Sequence, residues 1–203
     1  MQSKFISKWN AAVGILEQKT SKKFIRLNND GVCAGFSSTL LEYASRADLD
    51  AFYQYIQLIT SQSPEKLAEF LASTSSKESR LANKLFRFVS MLALLQENQS
   101  VKTVTHQGST RSANAQRINN AAQGKTTAEV LSNETSALAL LKKLAVNEGM
   151  ILGAEGHAYA IYRTESTWII FDSNDKNLGE GQTFKSIKRA ARKLTHVVDE
   201  NAE

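Results

Sequence analysis

The amino-acid sequence predicts an α+β fold, in which a helical part comes first and an antiparallel sheet follows. Apolar residues recur at helical spacing over most of the first half of the chain, whereas short runs typical of strands appear only after residue 149. Such segregation of helices and strands along a chain is typical of the α+β class. With 203 residues and 42% hydrophobic content, residues 1–203 can bury one sizeable core, so we expect a single domain.

Amphipathic stripes predict five helices before residue 97. They are expected at 3–19, from near Cys33 onward, at 48–60, at 64–71 and at 81–95. The start of the fourth is the clearest, because Ser63 supplies a capping hydroxyl and Pro64 suits the first helical position. The helix that begins near Cys33 should be the central one, since Leu40, Leu41 and Tyr43 give it a broad apolar face.

Residues 97–127 differ in composition from the rest of the chain. Ser, Thr, Asn, Gln and Gly dominate there, which predicts a flexible loop or insertion within the domain. His106 lies in this segment without an orienting carboxylate nearby in sequence, so we interpret it as exposed. A last central helix is expected from about Thr127 until Gly149 ends it.

The last third of the chain predicts the sheet. Strands are expected at 150–152, 157–163, 167–172 and 194–198, and His196 in the last of these is interpreted as a structural or surface residue. Between them, residues 184–194 fit a helix whose inner face is apolar. Its outer face carries five basic side chains: Lys185, Lys188, Arg189, Arg192 and Lys193. We interpret this face as solvated, with docking on an anionic membrane or an acidic substrate as the alternative.

Composition excludes several functional classes. The net charge of +5 permits acidic partners, but aromatic interleaving and nucleic-acid motifs are missing, so no nucleic acid is expected. No apolar run approaches the roughly 20 residues that span a bilayer, and the amino terminus does not resemble a signal peptide. One cysteine excludes an internal disulfide. The three histidines and this cysteine lack zinc-ligand spacing, and no phosphate loop or EF-hand pattern occurs, so neither metal nor cofactor is predicted.

Cys33 is the candidate nucleophile. Residues 28–31 are turn formers and the residues after Cys33 follow helical spacing, which places the thiol where a loop becomes a helix. The positive end of the helix dipole and the unpaired amide groups there lower a cysteine pKa and favour the reactive thiolate. A lone cysteine is otherwise most often a small buried apolar residue.

His157 and Asp172 are the candidate base and orienting acid. A two-residue loop at Thr164-Glu165 would place His157 directly opposite Asp172 in the hairpin, and a three-residue loop would shift the pairing by one. Paired residues of an antiparallel ladder point to one face with Cβ atoms about 4.5–5.5 Å apart. A thiol, an imidazole and a carboxylate together make the constellation for thiolate acyl transfer.

These residues also carry a resemblance. The family resembled is the YopT-type family of papain-fold cysteine proteases, and the resemblance lies in Gly31-Val32-Cys33-Ala34-Gly35-Phe36-Ser37 before a helix, followed by Gly156-His157-Ala158-Tyr159-Ala160-Ile161 and Phe171-Asp172-Ser173-Asn174 on consecutive strands. The resemblance implies a papain-like arrangement, with the nucleophile on a central helix packed against a carboxy-terminal antiparallel sheet. It implies a Cys33, His157, Asp172 triad, and an oxyanion donor best matched by Asn28, with Asn29 as the alternative.

The resemblance implies a bacterial effector that cleaves a protein of a host cell. Delivery by a dedicated secretion system without a cleaved signal peptide is then expected, with the bacterial cytoplasm as the alternative. The same triad order occurs in glutamine deamidases and transglutaminases, so these chemistries remain alternatives. A non-catalytic interaction module is the alternative from a different class.

Overall fold

The computed structural model describes residues 2–97, 102–104, 110–112, 133–154, 157–175 and 181–199. Within them the chain is α+β, with seven helices and a four-stranded antiparallel sheet, so the predicted fold class is confirmed. The first five helices are α1 (Gln2–Thr20), α2 (Cys33–Ser45), α3 (Leu49–Ser61), α4 (Pro64–Leu71) and α5 (Ser76–Glu97). They match the five predicted stripes.

The core of the helical part is aromatic, and α2 lies at its centre. Helix α2 packs against α3, α5 and strands of the sheet. Phe36 of α2 is fully buried and contacts the ring of Phe5 of α1 edge to face, with ring centroids 5.0 Å apart. At Gly35, a Cβ atom would lie 2.3 Å from the carbonyl oxygen of Leu92 in α5. Only a glycine therefore allows α2 and α5 to approach this closely at the end that carries Cys33.

A segment without regular secondary structure, residues 21–32, leads from α1 to α2. Side chains of α1 hold it in place. The indole Nε1 of Trp9 donates to the carbonyl of Ile25, and Asn10 binds both the N–H and the carbonyl of Leu27. The position of Cys33 thus depends on hydrogen bonds to α1 as well as on helix packing.

Two short strands, β1 (Lys102–Val104) and β2 (Thr110–Ser112), form an antiparallel hairpin within the segment predicted to be a loop or insertion. His106 lies outside the described residues. Helix α6 (Glu134–Lys143) begins after Asn133, whose side chain accepts the N–H of Ser136 in a capping box. The predicted end of this helix at Gly149 is wrong, because α6 ends at Lys143 and Gly149 begins the next strand.

The sheet consists of β3 (Gly149–Ala154), β4 (His157–Arg163), β5 (Trp168–Asp172) and β6 (Gln182–Phe184), in that spatial order. The predicted register of β4 and β5 is wrong. The ladder pairs Tyr159, not His157, with Asp172. The cause is the turn: Thr164 and Thr167 bond to each other through backbone and side chain, so four residues connect the strands and not two or three.

Helices cover both faces of this sheet. Ala160 and Phe171 join the core of α1–α5, whereas Ile161 and Ile170 pack against α6 and a last helix, α7 (Ile187–Asp199). The predicted strand at 194–198 is therefore wrong. The apolar positions of α7 keep helical spacing and are buried against the sheet, and this burial outweighs the brief alternation around His196. None of the described helices is both long and apolar enough to cross a membrane.

Candidate active site

Cys33 is the first residue of α2. The chain enters the helix through Gly31, whose φ of +119° favours glycine. The side chain of Val32 does not cap the helix. In the first turn the N–H of Ala34 bonds the thiol, whereas the N–H of Gly35 donates to Oε1 of Gln96 over 3.0 Å. The thiol is 9% exposed and contacts Ala34, Ala158 and Ile151.

The surroundings of Cys33 favour the thiolate. Burial raises its pKa, but the hydrogen bond and charge of His157 and the backbone N–H groups of Ala158 and Ala34 lower it more strongly, so the net pKa lies below the ordinary cysteine value. Ala158 comes from β4 and Ala34 from α2. Groups from both parts of the fold therefore stabilise negative charge on one sulfur atom.

His157 joins the thiol to Asp172. Its Nε2 lies 2.8 Å from Oδ1 of Asp172, and the side chain also bonds the thiol of Cys33. Because Nε2 is engaged by the carboxylate, Nδ1 is the nitrogen that serves the thiol. Burial lowers the pKa of His157, but the hydrogen bonds and charges of Asp172 and Cys33 raise it to about 9. Both shifts favour a thiolate–imidazolium pair.

Although the register of β4 and β5 differs from the predicted one, His157 and Asp172 still lie close together, as predicted. Side chains two residues apart on a strand share a face, so His157 lies diagonally across from Asp172 and on the same side of the sheet. Ala158, which contacts Cys33, points to the opposite face. Since His157 is the first residue of β4, its ring meets the thiol at the end of the strand. The ring of Tyr159 packs edge-on against it, with centroids 4.6 Å apart.

The turn after β5 supports the acid. The backbone N–H of Asn174 donates to Oδ1 of Asp172 over 2.8 Å, the same oxygen that bonds His157. The side chains of His157 and Asp172 are 9% and 19% exposed. Limited access of water to this pair strengthens the interaction of the carboxylate with the ring.

Among the described residues, Gln2, Asn174 and Ser37 also contact the site, and sequence reasoning assigned no role to any of them. Gln2 bonds the backbone of Val32 and the side chain of Asn174, and Asn174 in turn lies beside the ring of His157. Ser37, one turn after Cys33, donates to the carbonyl of Ala158 over 3.1 Å. Its spacing of four residues from Cys33 was a usable signal. No sequence pattern links Gln2 to residues thirty positions away.

Asn28 is exposed, and its Oδ1 accepts the N–H of Asp30 over 3.0 Å, as in an Asx turn. Oδ1 of Asn29 accepts from Nδ2 of Asn10 over 3.4 Å. In this arrangement both amides take part in contacts within the loop and with α1. An oxyanion role for Asn28 requires its side chain to leave the turn, and that role stays a prediction. Among the described residues, no three His, Cys, Asp or Glu side chains converge as a metal site would require.

Comparison with known proteins adds no relative: no family model, no curated protein and no solved structure matches the chain. The features of this chain that point to a function are therefore the geometry of Cys33, His157 and Asp172 and the resemblance of the residues around them.

Proposed function

We propose that this chain is a thiol protease of papain-like arrangement, which cleaves a protein substrate through Cys33, His157 and Asp172. One arrangement carries the proposal: a single imidazole is bonded on one side to a carboxylate at 2.8 Å and on the other to a thiol at a helix amino terminus. This is the geometry that nucleophile, base and orienting acid need in acyl transfer.

In the proposed reaction, the thiolate of Cys33 attacks the carbonyl carbon of a peptide bond. Negative charge moves to the carbonyl oxygen, where backbone N–H groups at the start of α2 stabilise it. Nδ1 of His157 then gives its proton to the leaving amine, the carbon–nitrogen bond breaks, and a thioester forms. Water, deprotonated by the same nitrogen, hydrolyses the thioester and releases the thiol.

Asp172 orients the ring through Nε2 and stabilises its positive charge during the first half of the reaction. It does not itself exchange a proton. The fixed contacts of Asp172 to His157 and to the N–H of Asn174 suit this role, because a carboxylate held by two donors cannot rotate away from the ring.

Mass spectrometry of a peptide mixture incubated with the protein tests the activity. We expect new peptide termini with the wild type and none with Cys33→Ala or His157→Ala. Ser38→Ala is the matched control, because it changes a buried residue of the same helix whose Oγ has no hydrogen-bond partner in the part of the chain that the structure describes. A mass gain of about one unit at glutamines without cleavage, or crosslinked peptides, would replace the protease with the deamidase or transglutaminase alternative. No product of any kind would overturn the enzymatic proposal.

The resemblance also implies a host protein as substrate and delivery by a secretion system, and we include both in the proposal. Reporter fusions tested for transfer into host cells measure delivery directly, and transfer that persists without a secretion machine would contradict it. The basic outer face of α7 is one candidate docking surface, since Lys188, Arg189 and Arg192 are exposed while Ala191 and Leu194 are buried beneath them. Binding to anionic vesicles that is equal for wild type and a Lys188→Glu, Arg189→Glu variant would exclude this surface.

A further inference from the structure

The side chain of Gln2 connects the two segments that carry the candidate active site. Its Oε1 accepts the backbone N–H of Val32 over 3.0 Å, directly before Cys33. Its Nε2 donates to Oδ1 of Asn174 over 2.8 Å, two residues after Asp172. The backbone N–H of Gln2 also donates to the carbonyl of Ser173 over 3.0 Å. The beginning of α1 therefore joins the loop before the thiol to the turn after the acid.

The chemistry of these groups fixes how each amide is oriented. A backbone N–H can only donate, so the group of Gln2 that faces Val32 must be the oxygen. Its NH₂ group then faces Asn174, and must meet the oxygen of that amide. The NH₂ group of Asn174 is consequently the part that faces His157, where Nδ2 lies 3.5 Å from Nδ1. The backbone N–H of Val32 thus fixes the orientation of the Gln2 amide, and the Gln2 amide fixes that of Asn174.

A donor beside Nδ1 acts on one protonation state of His157. Neutral imidazole with its proton on Nε2 offers a lone pair at Nδ1, which accepts from Asn174. The imidazolium carries a proton there and is opposed by the same donor. Among the described residues, the ring is also faced by the carboxylate of Asp172 from β5, the thiol of Cys33 from α2 and the ring of Tyr159 in β4. Asp172 favours the imidazolium, so Asn174 acts against it.

We propose that Gln2 and Asn174 are positioning residues that keep a hydrogen-bond donor at Nδ1 of His157 and so stabilise its neutral, basic form. The inference rests on the proposed function only in that Nδ1 is the nitrogen that serves Cys33. During the reaction the donor would promote loss of the Nδ1 proton to the leaving amine. It would then favour the neutral base that activates water in thioester hydrolysis.

The test is the pKa of His157, measured by ring ¹⁵N NMR on the full chain with Cys33→Ala, which removes the titration of the thiol. The chain has three histidines, and His157→Gln identifies the signal. We expect Asn174→Ala to raise this pKa by about 0.5–1 unit, the size of one modest hydrogen bond. The backbone N–H of Asn174, and hence its bond to Asp172, is retained in that variant.

Gln2→Met tests whether Gln2 acts on His157 by orienting the amide of Asn174. With Nε2 gone, the oxygen of Asn174 loses the donor that Gln2 supplied and the amide is no longer held with its NH₂ group toward Nδ1, so the pKa of His157 should again rise by about 0.5–1 unit. In the double variant the pKa should equal that of Asn174→Ala alone, because Gln2 acts through Asn174. If Gln2→Met does not fold, the pKa of His157 in Asn174→Ala tests the proposal by itself, because Asn174 is exposed and its replacement leaves the core unchanged.

Asn10→Ala is the matched control. Asn10 also belongs to α1 and also holds the 21–32 segment, through Leu27, without touching His157. It should leave the pKa of His157 unchanged. If Asn174→Ala lowers the pKa of His157, the side chain of Asn174 merely keeps the ring near Asp172, and the proposal is overturned. An unchanged pKa in Asn174→Ala would also overturn it. Since the protein measured is the inactive Cys33→Ala form, the outcome is independent of whether the chain proves to be a protease.

Discussion

The two sides of the candidate site are built in different ways. His157 and Asp172 lie on one hairpin, fifteen residues apart, and local strand pairing brings them together. Cys33 lies at the amino-terminal end of α2, and tertiary packing alone fixes that end beside His157 and Asp172. The contacts are the close approach of Gly35 to α5, the hydrogen bond of Ser37 to β4 and the hydrogen bonds of α1 to residues 21–32. The base and acid should therefore tolerate loosening of the helical part better than the thiol does.

The largest expected effect lies on the hairpin side. Asp172→Asn should reduce kcat/KM by about 10²–10⁴-fold, since the amide no longer fixes the ring and its charge. It should also lower the pKa of His157, because the bond and charge of Asp172 raise it. Activity assays measure the loss of kcat/KM, and a thermal unfolding curve shows that the variant remains folded. A rate that matches the wild type would remove Asp172 from the mechanism.

Gly35→Ala tests the helical side. Its new Cβ would lie 2.3 Å from a backbone oxygen of Leu92, so α2 or α5 must shift, at a cost of about 1–3 kcal/mol. Activity should fall beyond the loss of stability because the shift occurs beside Cys33. Gly153→Ala is the control, since no heavy atom of the described residues lies within 4 Å of its added Cβ. Equal unfolding free energies for the two variants would show that α2 is not held by this contact.

Ser37→Ala removes the hydrogen bond from α2 to the carbonyl of Ala158 and should lower the unfolding free energy by about 1 kcal/mol. The neighbouring Ser38→Ala should be neutral or stabilising, because the buried Oγ of Ser38 has no hydrogen-bond partner among the described residues. Denaturant unfolding of both variants measures the difference. If Ser38→Ala proves the more destabilising, the bond of Ser37 to β4 does not anchor the helix.

The same division explains how much could be predicted from the sequence. The helical stripes and the hairpin are local patterns, so the fold class and the shared face of His157 and Asp172 followed from spacing. The register was missed because the pairing of Thr164 with Thr167 depends on side-chain bonds within the turn. The alternation at residues 194–198 predicts a strand, whereas the burial of α7 against the sheet, which makes them helical, is a tertiary effect that a local pattern does not contain.

The contact of Cys33 with His157 had no local signal beyond the resemblance, since it depends on how α2 lies against β4. Gln2 was missed for the same reason: its partners, Val32 and Asn174, are remote in sequence. The resemblance matches Asn28 to the oxyanion donor by its position before Cys33, and such a match carries no information on the turn that its side chain forms with Asp30.

The most direct measurement is the titration of the thiol by its ultraviolet absorbance, taken as the difference from the matching Cys33→Ala protein so that the absorbance of the five tyrosines cancels. The difference reports Cys33 alone because the chain has one cysteine. The pKa of Cys33 is lowered partly by the hydrogen bond and charge of His157, so thiolate should persist below the pH at which an ordinary cysteine is protonated. In His157→Ala the transition should move to higher pH, toward or above the ordinary cysteine value. Superimposable curves for the two proteins would contradict the pairing of Cys33 with His157.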